Sequence, residues 1–523
     1  MNSNQRTFLA LILILGVFIV FQYLTPKPAP QISPMPQAPA EEAAPPAEAV
    51  AEKVPAAAVG LKGTGPATSA PVVQNILETG DFRAVLTSQG ASLEEYHLKG
   101  FKLPDGRQVQ LIPEDGRALT MAITLDGKQL DLSRHNFTVV GEERNSVTYR
   151  LELGGGLAVT KRYTALEGRM GLALAVEMDN AGRAELGPRY DLIWDCGMNF
   201  TEKDRKIDDN EYAAVLLLDK KLESDKAKKL AKPDIEQIEG SVTFSGVRTK
   251  YFAAVMVPVE RPAAAARQGL NGDRISTRLS LKAGQPDSFA IYLGPIHHRM
   301  LSAVYPQLDL VADTGWKPLQ PVTRAILWLL LFLHSLIPNY GVVIIVFSVI
   351  IKLAFFPLSY KGMKSMRRMQ QLQPKMKKIQ EQHKNDPGKM NQETMALYKK
   401  HGVNPLGGCL PLLLQMPVFF ALYSVLANTI ELRQAPFIFW IHDLAAKDPY
   451  YVLSALMGIA MFFQQKMTTV DPKQKFMIYL MPLFMVFIFS SLPAGLNLYW
   501  LVYNILSIGE QYLIHIRHKP IED

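Results

Sequence analysis

A chain of 523 residues carrying a net charge of +8 and 48% hydrophobic residues is long enough for two or three domains. Its two cysteines, Cys196 and Cys409, fall in regions expected at different sides or depths of a membrane, which argues against a disulfide framework and against a cysteine metal site. The basic excess gathers in one loop, which points to membrane topology and away from specific nucleic-acid recognition.

Residues 1–24 open with Arg6 and an apolar run from Phe8 to Leu24. The run is near spanning length, and TPKPAP follows it in place of a small-x-small cleavage site. It therefore reads as an uncleaved transmembrane signal anchor with its N-terminus in the cytoplasm rather than a cleaved signal peptide. Residues 25–71 are dominated by Pro and Ala with scattered Glu, too poor in apolar surface to fold, and read as a semi-extended tether or linker.

Period-two patterning begins near Ile76. Val147, Tyr149, Leu151 and Leu153 alternate with polar residues, as do Ile275, Thr277, Leu279 and Leu281, and Phe289, Ile291 and Leu293. Turn signals (PDGR, LDGK, GGG) lie between the runs, so residues 72–314 are expected to form a large antiparallel β-sandwich. No helical pattern follows Gly154–Gly156, so the run reads as a hairpin or bulge and not as a phosphate loop. The region offers no Ser/His/Asp set, zinc spacing or Walker motif. His297 and His298 read as a surface pair. A binding or packing module is expected, not an enzyme, with no metal and no cofactor.

Residues 315–337 hold an apolar stretch, Ala325 to Leu333, too short to span hydrocarbon. An interfacial amphipathic helix fits it, with Trp316 and Trp328 suited to the membrane surface. Residues 338–358 are of spanning length but contain Lys352, roughly 9 Å inside the last apolar position, Leu358. A cation at the centre of hydrocarbon costs roughly 2.5–3.5 kcal/mol on insertion scales. Two readings compete. Either the lysine stem snorkels to the headgroups, or the ammonium faces a wet cavity inside a bundle.

Residues 359–403 turn strongly basic. Lys361, Lys364, Arg367, Arg368, Lys375, Lys377, Lys378, Lys384, Lys389, Lys399 and Lys400 stand against only Glu381, Asp386 and Glu393, which marks the cytoplasmic side. Two helices closed by NDPG are expected. Met363, Met366, Met369, Leu372, Met376 and Ile379 form one apolar stripe on the first. That stripe either packs on the second helix through Met395 and Leu397 or, with Arg367 and Arg368 beside it, is a pliable face that captures hydrophobic segments.

Residues 404–514 hold four further spans: Leu410–Ile430, Tyr450–Phe463 with its flanks, Phe476–Leu492 and Leu496–Ile514. With the anchor this gives six transmembrane helices, both termini cytoplasmic by the alternation of loop charge, and a short cytoplasmic tail, 515–523. Gln415, Asn428, Gln464, Gln465, Asn497, Asn504 and Glu510 punctuate the helices. Most such amides bond neighbouring helices. Glu510 is placed either to pair with Lys352 or to reach water.

NPLGGCLPLLLQMPVFFALY (404–423), ELRQAPFIFWIHDLAAKDPYY (431–451), FFQQKM (462–467) and LPAGLNLYWLVYNILSIGEQYLI (492–514) closely resemble the YidC/Oxa/Alb family of membrane protein insertases. The anchor, tether and β region resemble its Gram-negative form, with FSGVRTKYFAAVMVP (244–258) the most similar piece there. The resemblance implies a multi-pass protein of the bacterial inner membrane with a periplasmic domain. Its conserved five-helix core would enclose a hydrophilic groove open to the cytoplasm and to lipid. It implies insertion and folding of nascent membrane proteins, alone or with the Sec translocon and its accessory subunits. Ser348, Tyr499 and Trp500 match positions lining that groove or contacting substrate; Gln415 and Asn504 are added to it here. Lys352 stands where the family usually has arginine, so a positive field is retained but a bidentate fork is lost. The short tail argues against strong docking of the ribosome or signal-recognition machinery.

Burial of a client helix in lipid provides roughly 6–12 kcal/mol, about 20 residues at 0.3–0.6 each. The barrier lies in moving the polar flank through hydrocarbon, which a wet groove shortens. A secondary transporter with an intramembrane charged site is the rival reading. It should show paired halves with matching broken helices, and the five core spans show no such repeat.

Overall fold

The computed structural model describes residues 71–517 except 182–183, 231–236, 313–316, 385, 404–409 and 469–474. The expected anchor and the tether up to residue 70 lie outside the described residues. So do Trp316, Cys409 and the end of the tail from residue 518. The chain divides into two compact units, the β region ending at Asp313 and a helical region from Thr314 onward.

In the β unit all strand pairings are antiparallel, and one continuous run of neighbours leads from Thr138–Glu143 at one edge to Gln74–Glu78 at the other. The alternation that marks these strands in the sequence becomes their burial. Val147, Tyr149 and Leu151 point inward from Ser146–Leu153, and Ile275, Thr277, Leu279 and Leu281 from Arg274–Lys282. The Asp287–Pro295 strand differs. Its inward set, Phe289, Ile291 and Leu293, is joined by buried Tyr292, because this strand is covered on both faces at its end. Gly154–Gly156 forms the hairpin joining Ser146–Leu153 to Leu157–Ala165. Gly155 and Gly156 there adopt φ of 75° and 76°, a conformation that favours glycine. Within FSGVRTKYFAAVMVP two strands approach so closely that a Cβ on Gly246 would lie 2.2 Å from the Ala254 carbonyl oxygen.

Among the buried cations of the sandwich, Lys161 is the most deeply enclosed. Lys161, fully buried, donates from Nζ to the carbonyl oxygens of Gly90 (3.2 Å), Ala91 (2.7 Å) and Leu119 (2.6 Å). These three carbonyls belong to residues in the left-handed region, with φ of 72°, 42° and 62°. Burial pushes the Lys161 pKa down to about 7, while the three acceptors favour the protonated form.

The helical unit contains α1 (Gln320–Leu336), α2 (Tyr340–Gln371), α3 (Gln373–Gln382), α4 (Pro387–Lys400), α5 (Leu410–Asn428), α6 (Val452–Thr468), α7 (Lys475–Phe489) and α8 (Ala494–Arg517). Of the six expected spans, the first lies outside the described residues. Among the others only Tyr340–Tyr360 of α2 is by itself long and apolar enough to cross a membrane. Ile326, Leu330 and Leu333 of α1 enter a core shared with Val343 and Phe347 of α2, Leu422 and Leu426 of α5, Met457 of α6 and Leu496 and Tyr499 of α8. The outer surface is apolar as well. Trp328, Phe332 and Leu336 on α1, Leu353 and Phe356 on α2, and Leu483 and Phe487 on α7 are exposed. Such a surface suits hydrocarbon and not water.

α2 does not stop at residue 358. It continues past the internal Pro357 to Gln371, and the chain breaks only at Leu372 before α3. The residues after Lys361 are mostly good helix formers, and one proline removes only one intrahelical bond. Of the expected NDPG turn, Asn385 lies outside the described residues; Asp386 caps α4, with Pro387 in its first turn. Of the two residues offered for packing on the stripe, Met395 is exposed, while α4 meets the stripe through Tyr398, whose hydroxyl lies 3.1 Å from Met376 Sδ. Leu397 is half-buried.

Candidate functional site

Lys352 lies about 18 Å along α2 from Tyr340 and about 12 Å before Tyr360, within the apolar stretch. Its side chain is 10% exposed and that of Glu510 on α8 is 5% exposed, with Nζ 2.7 Å from Oε2. The ammonium donates to Ser507 Oγ at 2.8 Å and sits 4.5 Å from the centre of the Tyr503 ring. Ser359 Oγ donates to Glu510 Oε1 at 2.7 Å. Two helices thus each contribute a serine and one charge. Loss of either charge would leave the other buried without its partner.

Helical spacing explains the assembly. Ser348, Lys352 and Ser359 recur at intervals of four and seven along α2, and Asn497, Asn504, Ser507 and Glu510 at seven, three and three along α8. Each set lies close to a single face of its helix. The spacing was the available signal for Ser359 and Ser507, which the reading of isolated polar residues missed.

The other expected residues fall around this pair. Tyr499 is fully buried, with Gln415 Nε2 3.5 Å from its hydroxyl. Its ring lies 6.1 Å from Tyr503, which carries the contact on to Lys352. Trp500 is half-buried, in edge contact with Phe419 at 5.3 Å and stacked on Tyr503 at 6.2 Å. Ser348 is fully buried, but its hydroxyl donates to its own helix at Ile344 O. Met363, Met366, Met369, Arg367 and Arg368 stand apart. Arg367 lies about 22 Å farther along α2 than Lys352. The three methionines are half-buried and Arg368 is exposed.

Several buried polar atoms in these helices have no protein partner among the described residues: Asn504 Nδ2, Asn497 Oδ1, Ser454 Oγ and Gln511 Oε1. Buried polar groups in native proteins are nearly all hydrogen-bonded to protein or water, and a dry bilayer interior would make four orphans costly. Asn497 and Asn504 share the helix face that carries Ser507 and Glu510.

Outside the pair, Asp448 organises the long connection between α5 and α6. Its carboxylate accepts from Trp440 Nε1 at 3.0 Å and from the backbone N–H groups of Tyr450 and Leu453. In the β unit, Cys196 is a free buried thiol whose pKa is pushed up to about 12 by burial, the opposite of what a nucleophile needs. His297 uses Nδ1 to cap the helix His298–Val304. Among the described residues no group of three or more His, Cys, Asp or Glu side chains could hold a metal.

Comparison with known proteins bears on both units. The family model described as 60Kd inner membrane protein matches residues 332–521, and that of the YidC periplasmic domain matches 76–329. The membrane protein insertase YidC of Geotalea daltonii is 35% identical over 542 residues, covering 98% of this chain and 99% of the relative. That of Geobacter metallireducens is 35% identical over 535 residues, covering 98% of each. A solved structure of an active YidC insertase with its first transmembrane domain resolved is 18% identical, with a TM-score of 0.39, covering 86% of this chain and 94% of that one. The family is non-enzymatic and resides in the inner membrane with a periplasmic domain. On the strength of full-length relatives and of models matching both units, this chain belongs to the YidC family of membrane protein insertases.

Proposed function

We propose that the protein inserts nascent membrane proteins, alone or with the Sec translocon, through a hydrated intramembrane groove whose cation is Lys352. The supporting observation is the buried constellation of Lys352, Glu510, Ser359 and Ser507, with unpartnered polar atoms farther along the same face of α8. Lipid snorkelling of Lys352 fits poorly with an ammonium turned toward α8 and paired there. A polar client flank that meets water and a positive charge partway across avoids much of the desolvation that hydrocarbon imposes. Apolar insertion then supplies the drive, so the step needs no nucleotide. In this reading five core spans follow the periplasmic domain, both termini are cytoplasmic, and the basic hairpin 359–403 receives the client.

The test is charge reversal. Lys352→Glu places two carboxylates against each other, and insertion of clients with short acidic outer tails should fall about tenfold, equivalent to about 1.4 kcal/mol. Lys352→Arg should retain insertion. Undiminished insertion by the Glu variant, measured by protease protection of a single-span client, would remove the role of charge.

A further inference from the structure

Glu510 is held in an unusual way. Ser359 fixes its Oε1 from α2, while Oε2 pairs with the Lys352 ammonium at 2.7 Å. The ammonium also donates to Ser507. One carboxylate oxygen is therefore anchored and the other is offered to the cation. An acidic side chain on a client would bring the same chemistry to the same ammonium.

We propose that Glu510 is a built-in stand-in for the client's carboxylate: it neutralises Lys352 while the groove is unoccupied and yields its place when an acidic residue arrives. This rests on the reading of Lys352 as the cation that meets the client. The exchange conserves one ion pair, so the Lys352 ammonium is bare in neither state, while the displaced Glu510 carboxylate turns to the water of the groove. Glu510 keeps its Ser359 bond as it turns aside. Asn504, one turn before Ser507 on α8, is buried with a free amide N–H pair, a second donor suited to an incoming carboxylate. The stand-in also sets selectivity. A client acid must displace a competitor already in position, so the preference for acidic tails is muted relative to what a bare cation would give.

The experiment uses the full chain in vesicles of phosphatidylethanolamine and phosphatidylglycerol. Two single-span clients differ only in one outer-tail residue, Asp or Asn, and the readout is the ratio of their insertion rates. A variant that folds poorly lowers both rates together, so the ratio reports the folded molecules alone. Glu510→Gln should raise the Asp/Asn ratio at least about fivefold, the lower end of coupling between competing ligands. Glu510→Asp, which keeps the charge but withdraws it by one methylene, should raise the ratio less. It decides the matter if the Gln variant gives no active protein. Lys352→Met should bring the ratio to one. If Lys352→Met leaves the Asp preference intact, the underlying reading of Lys352 falls and this inference with it. If Lys352→Met abolishes the preference but the Glu510 variants leave the ratio at its original value, the stand-in alone is overturned.

Discussion

The two units each bury a lysine, and they treat it in opposite ways. In the β unit, Lys161 meets three backbone carbonyls and the Tyr163 ring at 5.5 Å, so its donors are matched and no carboxylate is needed. In the helical unit, Lys352 meets a carboxylate, a serine hydroxyl and an aromatic face, and buried polar atoms without partners lie farther along α8. A closed set of hydrogen bonds rigidifies a fold; an open one leaves capacity for water or client. Burial of a cation therefore does not by itself mark a working site.

The contrast can be broken in three further ways. The largest effect is expected from Lys161→Met, which takes the ammonium from the Gly90 and Leu119 carbonyls, Ala91 keeping the Tyr163 hydroxyl, and should destabilise the β unit by about 3 kcal/mol. Hydrogen exchange across its strands in the full chain measures this. The Asp/Asn client ratio should not move, and a shifted ratio would mean that Lys161 is more than structural. Second is a pH dependence. The folded Lys161 pKa of about 7 lies below the ordinary 10.5, so across that window the unfolded chain binds the extra proton. Stability of the β unit should therefore rise with pH from about 7 toward 10.5, by at most about 1.4 kcal/mol per pH unit, and the slope should vanish below about 7. Lys161→Met should flatten the slope, and a slope that survives the substitution assigns it to another group. The smallest effect concerns the hairpin. Replacing Met363, Met366 and Met369 by Ser should weaken crosslinking of stalled nascent chains about threefold, or about 0.7 kcal/mol, if the half-buried stripe receives clients. Normal capture with lowered thermal stability would make the stripe a packing surface.

What the sequence disclosed follows from how local each cause is. Strands with one wet face were legible because burial copies the alternation, as in Ser146–Leu153. Lys352 was legible because a charge in an apolar run is rare, and Glu510 was legible as one of its alternatives. Ser359 and Ser507 were not. A serine in an apolar helix commonly bonds its own preceding turn, as Ser507 also does to Tyr503 O, so residue type alone does not separate a site from a helix. Lys161 was overlooked although its phase was visible. It falls with Leu157, Val159, Tyr163 and Ala165 on the inward face of its strand. An inward lysine signals acceptors brought from elsewhere in the chain, and only the fold says which. The length of α2 beyond Pro357 was hidden for a related reason, since a proline at a membrane border stops some helices and merely bends others.

The left-handed residues Ala91 and Leu119 show what Lys161 does for the domain. Non-glycine residues in that conformation cost about 1–3 kcal/mol each, and they persist only where something holds them. The ammonium draws both carbonyls inward and acts as a tethered ion, clamping the turn at Ala91 to the start of the Ala118–Leu125 strand as calcium does elsewhere with oxygen ligands. Because this ion is covalently part of the chain, no chelator can extract it. The segments it clamps are therefore indifferent to the mineral content of whatever fluid bathes them.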